Sequence, residues 1–355
     1  MRIVIFTQTF PLNPEDSTAH FMYDFCLGFA KLGNDVTVLL PFCRGLDPQS
    51  FKGIKVVSFK YIWPLSLHVL GFGKTLKNDN RMAWYVYFLA PFFYFFGVIM
   101  LYKTVSKGKV DIINAHWVIP SGFIVAIVSK LTSIPLAITI PGSDAFIAKQ
   151  NIFFGTMAKF ALAQATYIIS NSPALLEDLG VDGKIISYPV EVNEIVRTRS
   201  RELRVATAGR RVEKKGFEKL AKIYPNIEII SNLPIDEFRK KLLSVDVLIV
   251  PSIRDSRGNL DDASVVILEG MAAGCAVIAT NLPGNRLIIK DGVNGLLIDP
   301  HDLGTVRAAI FRLKRSSAMR TRLGLAAKET IKQRFLPKKI ASLYLAVYSN
   351  KTHGK

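Results

Sequence analysis

Cysteine is scarce in this chain, and the scarcity excludes two classes of protein. Cys26, Cys43 and Cys275 are the only three in 355 residues, an odd number with neither metal-ligand spacing nor the pairing of a disulfide framework. Each lies in or beside an apolar segment and reads as a small core residue in a reducing compartment. Acidic residues are also few, with 28 Asp and Glu against 46 Lys and Arg, a net charge of +18. That balance favours anionic partners: nucleic acid, an anionic membrane face or a phosphorylated substrate. It is steepest over 301–355, where 13 basic residues meet only Asp302 and Glu329. No short internal repeat or low-complexity tract occurs, which argues against a solenoid. A secretory signal is not expected either, because the apolar run Ile3 to Phe6 stops at Thr7-Gln8 and reads as a first strand.

Apolar residues, by contrast, make up half the chain, and the length suffices for two domains with ample cores. One stretch raises the question of a membrane. Residues 82–102 are 21 uncharged positions between Arg81 and Lys103, long enough to span a bilayer. Pro91 and Gly97 interrupt the stretch, however, and its aromatics are spread along it instead of gathering at the ends. A single span would also part the strands of one sheet. The segment is therefore read as a helix that packs on the sheet or lies in the membrane interface.

Strands alternate with helices, as in doubly wound folds. In the first half, strands are expected over Ile3 to Phe6, Val36 to Leu40, Ile54 to Phe59, Asp111 to Asn114, Leu136 to Ile140 and Tyr167 to Ser170. Helices are expected from about Thr18 to Leu32, Ser121 to Leu131 and Phe153 to Gln164, besides the long apolar one. The alternation breaks in a charged, poorly periodic segment and resumes at Leu203. The expected organisation is a Rossmann-like domain over 1–190, a linker over 191–202 and a second Rossmann-like domain over 203–335. A basic and apolar helix follows over 336–355, packing back towards the first domain. Only 34 residues separate Gly216 from Pro251, room for two strands and two helices.

The second domain carries the chemistry. In the stretch Val245 to Val250, the unbroken apolar and mainly β-branched run after Asp246 is the mark of a strand buried on both faces of a parallel sheet. A polar loop follows to Asp262, and Ala263 to Gly274 reads as a helix. Ligands of open α/β sheets bind where a strand's carboxyl end meets the next helix's amino end, because free N–H groups and the helix dipole favour an anion there. Asp261 and Glu269 frame that helix start, and an anion site beside carboxylates suggests a nucleotide. Upstream, Gly209 opens a loop in which Arg210 and Lys215 are five residues apart. Two such cations can close on a diphosphate from different sides.

Together these residues resemble a known signature. Asp261-x7-Glu269, then Gly270-Met271-Ala272-Ala273-Gly274, a strand, Asn281-Leu282-Pro283-Gly284, and upstream Gly209-Arg210-x4-Lys215-Gly216, are similar to the donor site of family 4 retaining glycosyltransferases. The family usually has Glu where Asp261 stands. The resemblance implies the α/β GT-B fold, two Rossmann-like doubly wound domains facing each other across a cleft, with the second domain one βα unit short. It implies that Arg210 and Lys215 neutralise the leaving nucleoside diphosphate in place of a divalent metal, and no Asp-x-Asp motif occurs. It places Asp261 at the donor sugar, backbone N–H groups of Ala263, Ser264 and Val265 at the terminal phosphate, and Glu269 at the ribose. No metal and no cofactor are expected, the nucleotide-sugar being a substrate.

The first domain resembles the family less closely. Asn114-Ala115-His116-Trp117 is similar to its His-x-His-Trp stretch, and Thr139-Ile140-Pro141-Gly142-Ser143-Asp144 to Thr-x-His-Gly-Ser-Asp, with Pro141 where a His is usual. Where the family tends to have Gly-Gly, this chain has Glu15-Asp16, so a phosphate contact would come from the N–H groups of Ser17 and Thr18 at a helix cap. The expected first-domain cleft residues are Asp16, Ser17, Thr18, His116, Gly142, Ser143 and Asp144. The reading is a retaining transferase working from a nucleotide-sugar donor on a glycan or lipid-linked acceptor. It would be cytoplasmic and peripheral at an anionic membrane face. The alternative is a catalytically silent nucleotide-sugar-binding or scaffold protein of the same fold. Nucleic acid is not an expected partner, because basic and aromatic residues do not interleave.

Overall fold

The computed structural model describes residues 1–72, 76–77, 81–82, 84–192, 202–299 and 301–350. Most of the expected linker (193–201) and the end of the expected terminal helix (351–355) lie outside the described residues. The chain forms two compact units, Met1–Ile186 with Ala341–Lys355, and Ser187–Ile340.

In the first unit β1 (Arg2–Phe6) is followed by α1 (His20–Ala30), β2 (Asp35–Pro41) and β3 (Lys55–Phe59). A short antiparallel pair, β4 (Leu76–Lys77) and β5 (Arg81–Met82), leads into α2 (Val86–Ser106). Then come β6 (Ile112–His116), α3 (Phe123–Thr132), β7 (Leu136–Ile140), α4 (Ser143–Gln150), α5 (Ile152–Gln164), β8 (Tyr167–Ser170), α6 (Pro173–Leu179) and β9 (Lys184–Ile185). Among the described residues the sheet has seven parallel strands in the order β3-β2-β1-β6-β7-β8-β9. β6 and β7 are buried at every position, as strands covered on both faces of a parallel sheet are. Helix α1 starts at His20 instead of Thr18, because Ala19 takes a left-handed conformation (φ 50°) ahead of it.

The long apolar segment is a helix, shifted four residues towards the carboxyl end of the expected one. Val86, Leu89, Phe93, Gly97, Leu101 and Val105 form its buried stripe, at the three- and four-residue steps that put side chains on one helical face. Gly97 sets the closeness of this packing. A Cβ there would lie 2.9 Å from Ile124 Cδ1 and 3.5 Å from the rings of Phe59 and Phe6.

The second unit runs β10 (Val205–Ala208), α7 (Phe217–Ile223), β11 (Glu228–Ile230), α8 (Ile235–Leu242), β12 (Val247–Val250) and α9 (Val265–Ala272). β13 (Ala276–Thr280), α10 (Pro283–Ile288), β14 (Leu296–Ile298), α11 (Leu303–Arg315) and α12 (Ser317–Arg334) complete it. Its described strands form a parallel sheet of five, β11-β10-β12-β13-β14. Two strands and two helices occupy the interval from Gly216 to Pro251, as its length predicts. Val247, Ile249, Ile278, Leu313 and Leu323 are central to the core. The last helix, α13 (Pro337–Ser349), buries Tyr344 and Tyr348 against Phe25 and Phe29 of α1.

Candidate active site

At the end of β10, Gly209 turns the chain with φ 130°, and a single turn over Glu213–Lys215 leads to Gly216. Gly216 has φ 70°, and a side chain there would collide with the Pro251 carbonyl at the end of β12. Only glycine therefore lets the two strand-end loops run together. The Ile253 N–H donates to the Lys214 carbonyl at 2.9 Å. Glu213 pins the pair further, accepting from the Ser256 N–H and hydroxyl, both at 2.8 Å.

This approach delivers Lys215 into the second loop. Its ammonium donates to Asp261 Oδ2 at 2.7 Å and to Ser264 Oγ at 3.1 Å, and the Ser252 hydroxyl joins Asp261 Oδ2 at 3.3 Å. Lys214 and Lys215 are both buried. Burial alone raises the Asp261 carboxyl, but the Lys215 and Lys214 ammoniums, with hydrogen bonds from Lys215 and Ser264, outweigh it and hold Asp261 well below the usual carboxylate range. Ser264 is also the cap residue of α9. The first intrahelical bond here is Ile267 N–H to Ser264 O, so the preceding N–H groups, including that of Val265, lie at the open helix end where an anion is favoured. Arg210 stands exposed at the start of the same loop as Lys215.

Glu269 occupies the second turn of α9 and is buried. Arg239 of α8 grips it as a fork, Nε to Oε2 at 3.1 Å and Nη2 to Oε1 at 2.9 Å. Sequence reasoning missed Arg239. It stands in the run Arg239-Lys240-Lys241 in the last turn of α8, which looks like a solvated face, and no motif ties it to an acid 30 positions later. Ser252, a hydrogen-bond donor to Asp261, and Lys214, a charge near it, were missed as well, because no pattern ties them to that carboxylate.

The strand ends of the first unit are closed by their own side chains. Asn114 of β6 donates to Thr139 Oγ1 at 3.1 Å and to the Tyr348 hydroxyl oxygen at 2.7 Å. Its Oδ1 lies 3.1 Å from His116 Nδ1. Phe25 stands edge-on to the His116 ring at 4.9 Å. His116 is fully buried, and burial pushes its pKa down to about 3, so it is a neutral structural residue and not an accessible acid or base. Asp144 is buried too, and its carboxylate accepts from the N–H groups of Val118 and Gly142, lacing the loops after β6 and β7 together. Gly142 ends the second of these loops, and Ser143 opens α4.

Around Asp16 the structure corrects the expectation. The carboxylate of Asp16 accepts from the Leu12 and Thr18 N–H groups, both at 2.9 Å. The Thr18 N–H held for a phosphate is thus already bound inside its own loop, and Ser17 and Thr18 precede the helix instead of capping it.

Comparison with known proteins gives the family. Residues 14–172 match "Glycosyl transferase 4-like" and residues 184–316 match "Glycosyl transferases group 1". This chain belongs to the group 1 glycosyl transferases. An uncharacterised glycosyltransferase of Methanocaldococcus jannaschii is 26% identical over 328 residues, 78% of this chain and 92% of that protein. In fold, the sucrose-phosphate synthase of Thermosynechococcus elongatus superposes with a TM-score of 0.74 at 15% identity, covering 98% of both chains. Anabaena HepE, crystallised with UDP and with UDP-glucose, superposes with a TM-score of 0.68 at 16% identity, covering 98% of this chain and 100% of its own. The architecture is GT-B. The region that matches "Glycosyl transferases group 1" contains the Lys215–Asp261–Ser264 cluster, and the region that matches "Glycosyl transferase 4-like" contains the closed loops around His116 and Asp144.

Proposed function

We propose that the protein is a retaining glycosyltransferase that moves a sugar from a nucleoside-diphosphate donor to a glycan or lipid-linked acceptor without a metal ion. The observation that supports this most is the Lys215 ammonium held by Asp261 and Ser264 at the amino end of α9. A buried cation fixed at an open helix end is preorganised for the charge that develops on a departing diphosphate, which is where electrostatic stabilisation contributes most. Arg210 supplies the second cation, Asp261 meets a sugar hydroxyl, and Glu269, oriented by Arg239, accepts the ribose hydroxyls. The bond from the anomeric carbon to the diphosphate oxygen breaks, and the acceptor oxygen bonds that carbon on the same face. The acceptor's proton passes to the leaving phosphate oxygen. This route uses no histidine base, in keeping with Pro141 and with the burial of His116. The HepE complexes make UDP and UDP-glucose the first donors to test. We place the protein in the cytoplasm, peripheral at a membrane face, on its +18 charge and apolar α2.

A second reading is favoured by Asp16, which occupies the Thr18 N–H: a nucleotide-sugar-binding protein without turnover. A thermal-shift screen with UDP, GDP and their sugars, followed by transfer from radiolabelled donor, distinguishes the two. Donor at 100 times its Kd stabilises the fold by about 2.7 kcal/mol. No shift with any nucleotide sinks both readings, and a shift without transfer or hydrolysis leaves only the second.

A further inference from the structure

Helix α2 is apolar all round, yet only one of its faces is covered. Phe88, Phe92, Phe95 and Tyr102 are 73%, 49%, 61% and 46% exposed, and their steps of four, three and seven residues place them on one stripe opposite the buried one. Trp84, just ahead of the helix, and Trp63 are 75% and 84% exposed. The Trp63 loop is continuous with the helix, because a cavity of about 370 Å³ lies between Lys60, Tyr61, Ile62 and Trp63 on one side and Phe92 and Phe96 on the other. A contiguous aromatic patch of this kind on a folded surface marks an interaction site.

Charge decides what meets it. Residues 60–109 contain seven Lys and Arg and one acid, Asp79, and Lys103, Lys107 and Lys109 are exposed at the carboxyl end of α2. A second copy of this chain would bring two such basic rims together, which like-charge repulsion opposes. An anionic lipid surface attracts them. The indoles and Tyr102 have an apolar body and a polar tip, suited to the level of lipid headgroups. The buried stripe fixes the helix on its own sheet through Gly97, so it lies along a membrane and does not cross it.

We propose that the outer face of α2 and the Trp63 loop form a docking surface for an anionic lipid bilayer, seated at the boundary between headgroups and acyl chains. This deepens the membrane-face location given above and is independent of the donor chemistry.

The test mixes the full-length protein with vesicles of phosphatidylcholine alone and with vesicles that also contain phosphatidylglycerol. Flotation with the anionic vesicles is expected, with a blue shift of tryptophan emission that Trp63→Phe/Trp84→Phe removes. Phe88→Gln/Phe92→Gln/Phe95→Gln weakens partition at least about tenfold, and Lys103→Gln/Lys107→Gln/Lys109→Gln weakens it several-fold. All these positions are exposed, and both triple variants keep the parent's thermal shift with nucleotide-sugar, so loss of docking is distinct from loss of donor binding. Absence of flotation with anionic vesicles overturns the proposal, and so does equal binding to neutral ones. Release only by detergent, or a solution dimer that the phenylalanine substitutions abolish, also overturns it.

Discussion

Each unit carries an aspartate just beyond the end of one of its strands, Asp144 in the first turn of α4 after β7 and Asp261 in the loop after β12, and their environments drive them in opposite directions. Asp144 is walled in by its own loops. Burial pushes it up to about 6 from an ordinary value of 3.8, although the N–H groups of Val118 and Gly142 oppose the rise. Asp261 also leaves water, but two lysines stand against it and hold it ionised. The comparison teaches that the shared α/β pattern yields a site only where the strand-end loops keep charge that is partnered and still reachable. The first unit spends its polar groups on closing itself, through Asn114, His116, Thr139 and Tyr348.

The largest effect that tests this contrast is expected from Lys215→Ala. Removing a preorganised cation from beneath the leaving group should lower kcat about 10²- to 10³-fold, read in steady-state transfer from radiolabelled donor. The same substitution leaves Asp261 without its main partner, so the carboxylate should titrate nearer its ordinary value. A Lys215→Ala protein with parental kcat would show that the cluster is a structural ion pair and no more than that.

Arg239→Ala comes next. It leaves the buried Glu269 carboxylate without its fork, at a cost of about 3 kcal/mol, measured as a lower urea midpoint. Arg239→Leu/Glu269→Leu should recover most of that stability while donor affinity stays low, because the ribose acceptor is gone. If the single substitution leaves both stability and affinity untouched, Arg239 does not position Glu269.

The smallest effect is a pH slope, and it takes opposite signs in the two units. Asp144 has a raised folded pKa, so the stability linked to it is fully present below about pH 4 and is lost as pH rises through about 6, by about 1–3 kcal/mol. Asp261 has a lowered one, so its contribution is present above the ordinary carboxylate range and is lost as pH falls through its folded value. Urea unfolding of Asp144→Asn between pH 4 and 7 should therefore lack the parent's decline. A parallel slope in parent and variant would mean that Asp144 is not the titrating group.

Much of this was legible in the chain. Leu136 to Ile140 and Tyr167 to Ser170 are strands at the limits that their apolar runs suggest, and Lys215, Asp261 and Ser264, which the family resemblance singles out, are in hydrogen-bond contact. The short elements α4, α6 and β9 were not legible, because seven or eight residues in a helix and two in a strand carry too little periodicity. Arg239 escaped notice for a different reason: its partner lies 30 residues away, and only the packing of α8 against α9 brings the two together.

The sequence by itself determined the alternation of strands and helices, the division into two α/β regions, the donor motif and the basic charge, because each is written in local residue order and spacing. Tertiary structure decided which of those residues are open to a ligand. His116 is a strand-end histidine in the sequence and a sealed, neutral one in the fold. Glu269 is an acid on an apolar helix in the sequence and half of an Arg239 fork in the fold. Helix α2 has no polar face in the sequence, and only its seating on the sheet through Gly97 leaves one aromatic side uncovered. Access depends on which distant segment covers a residue, and local pattern does not encode that.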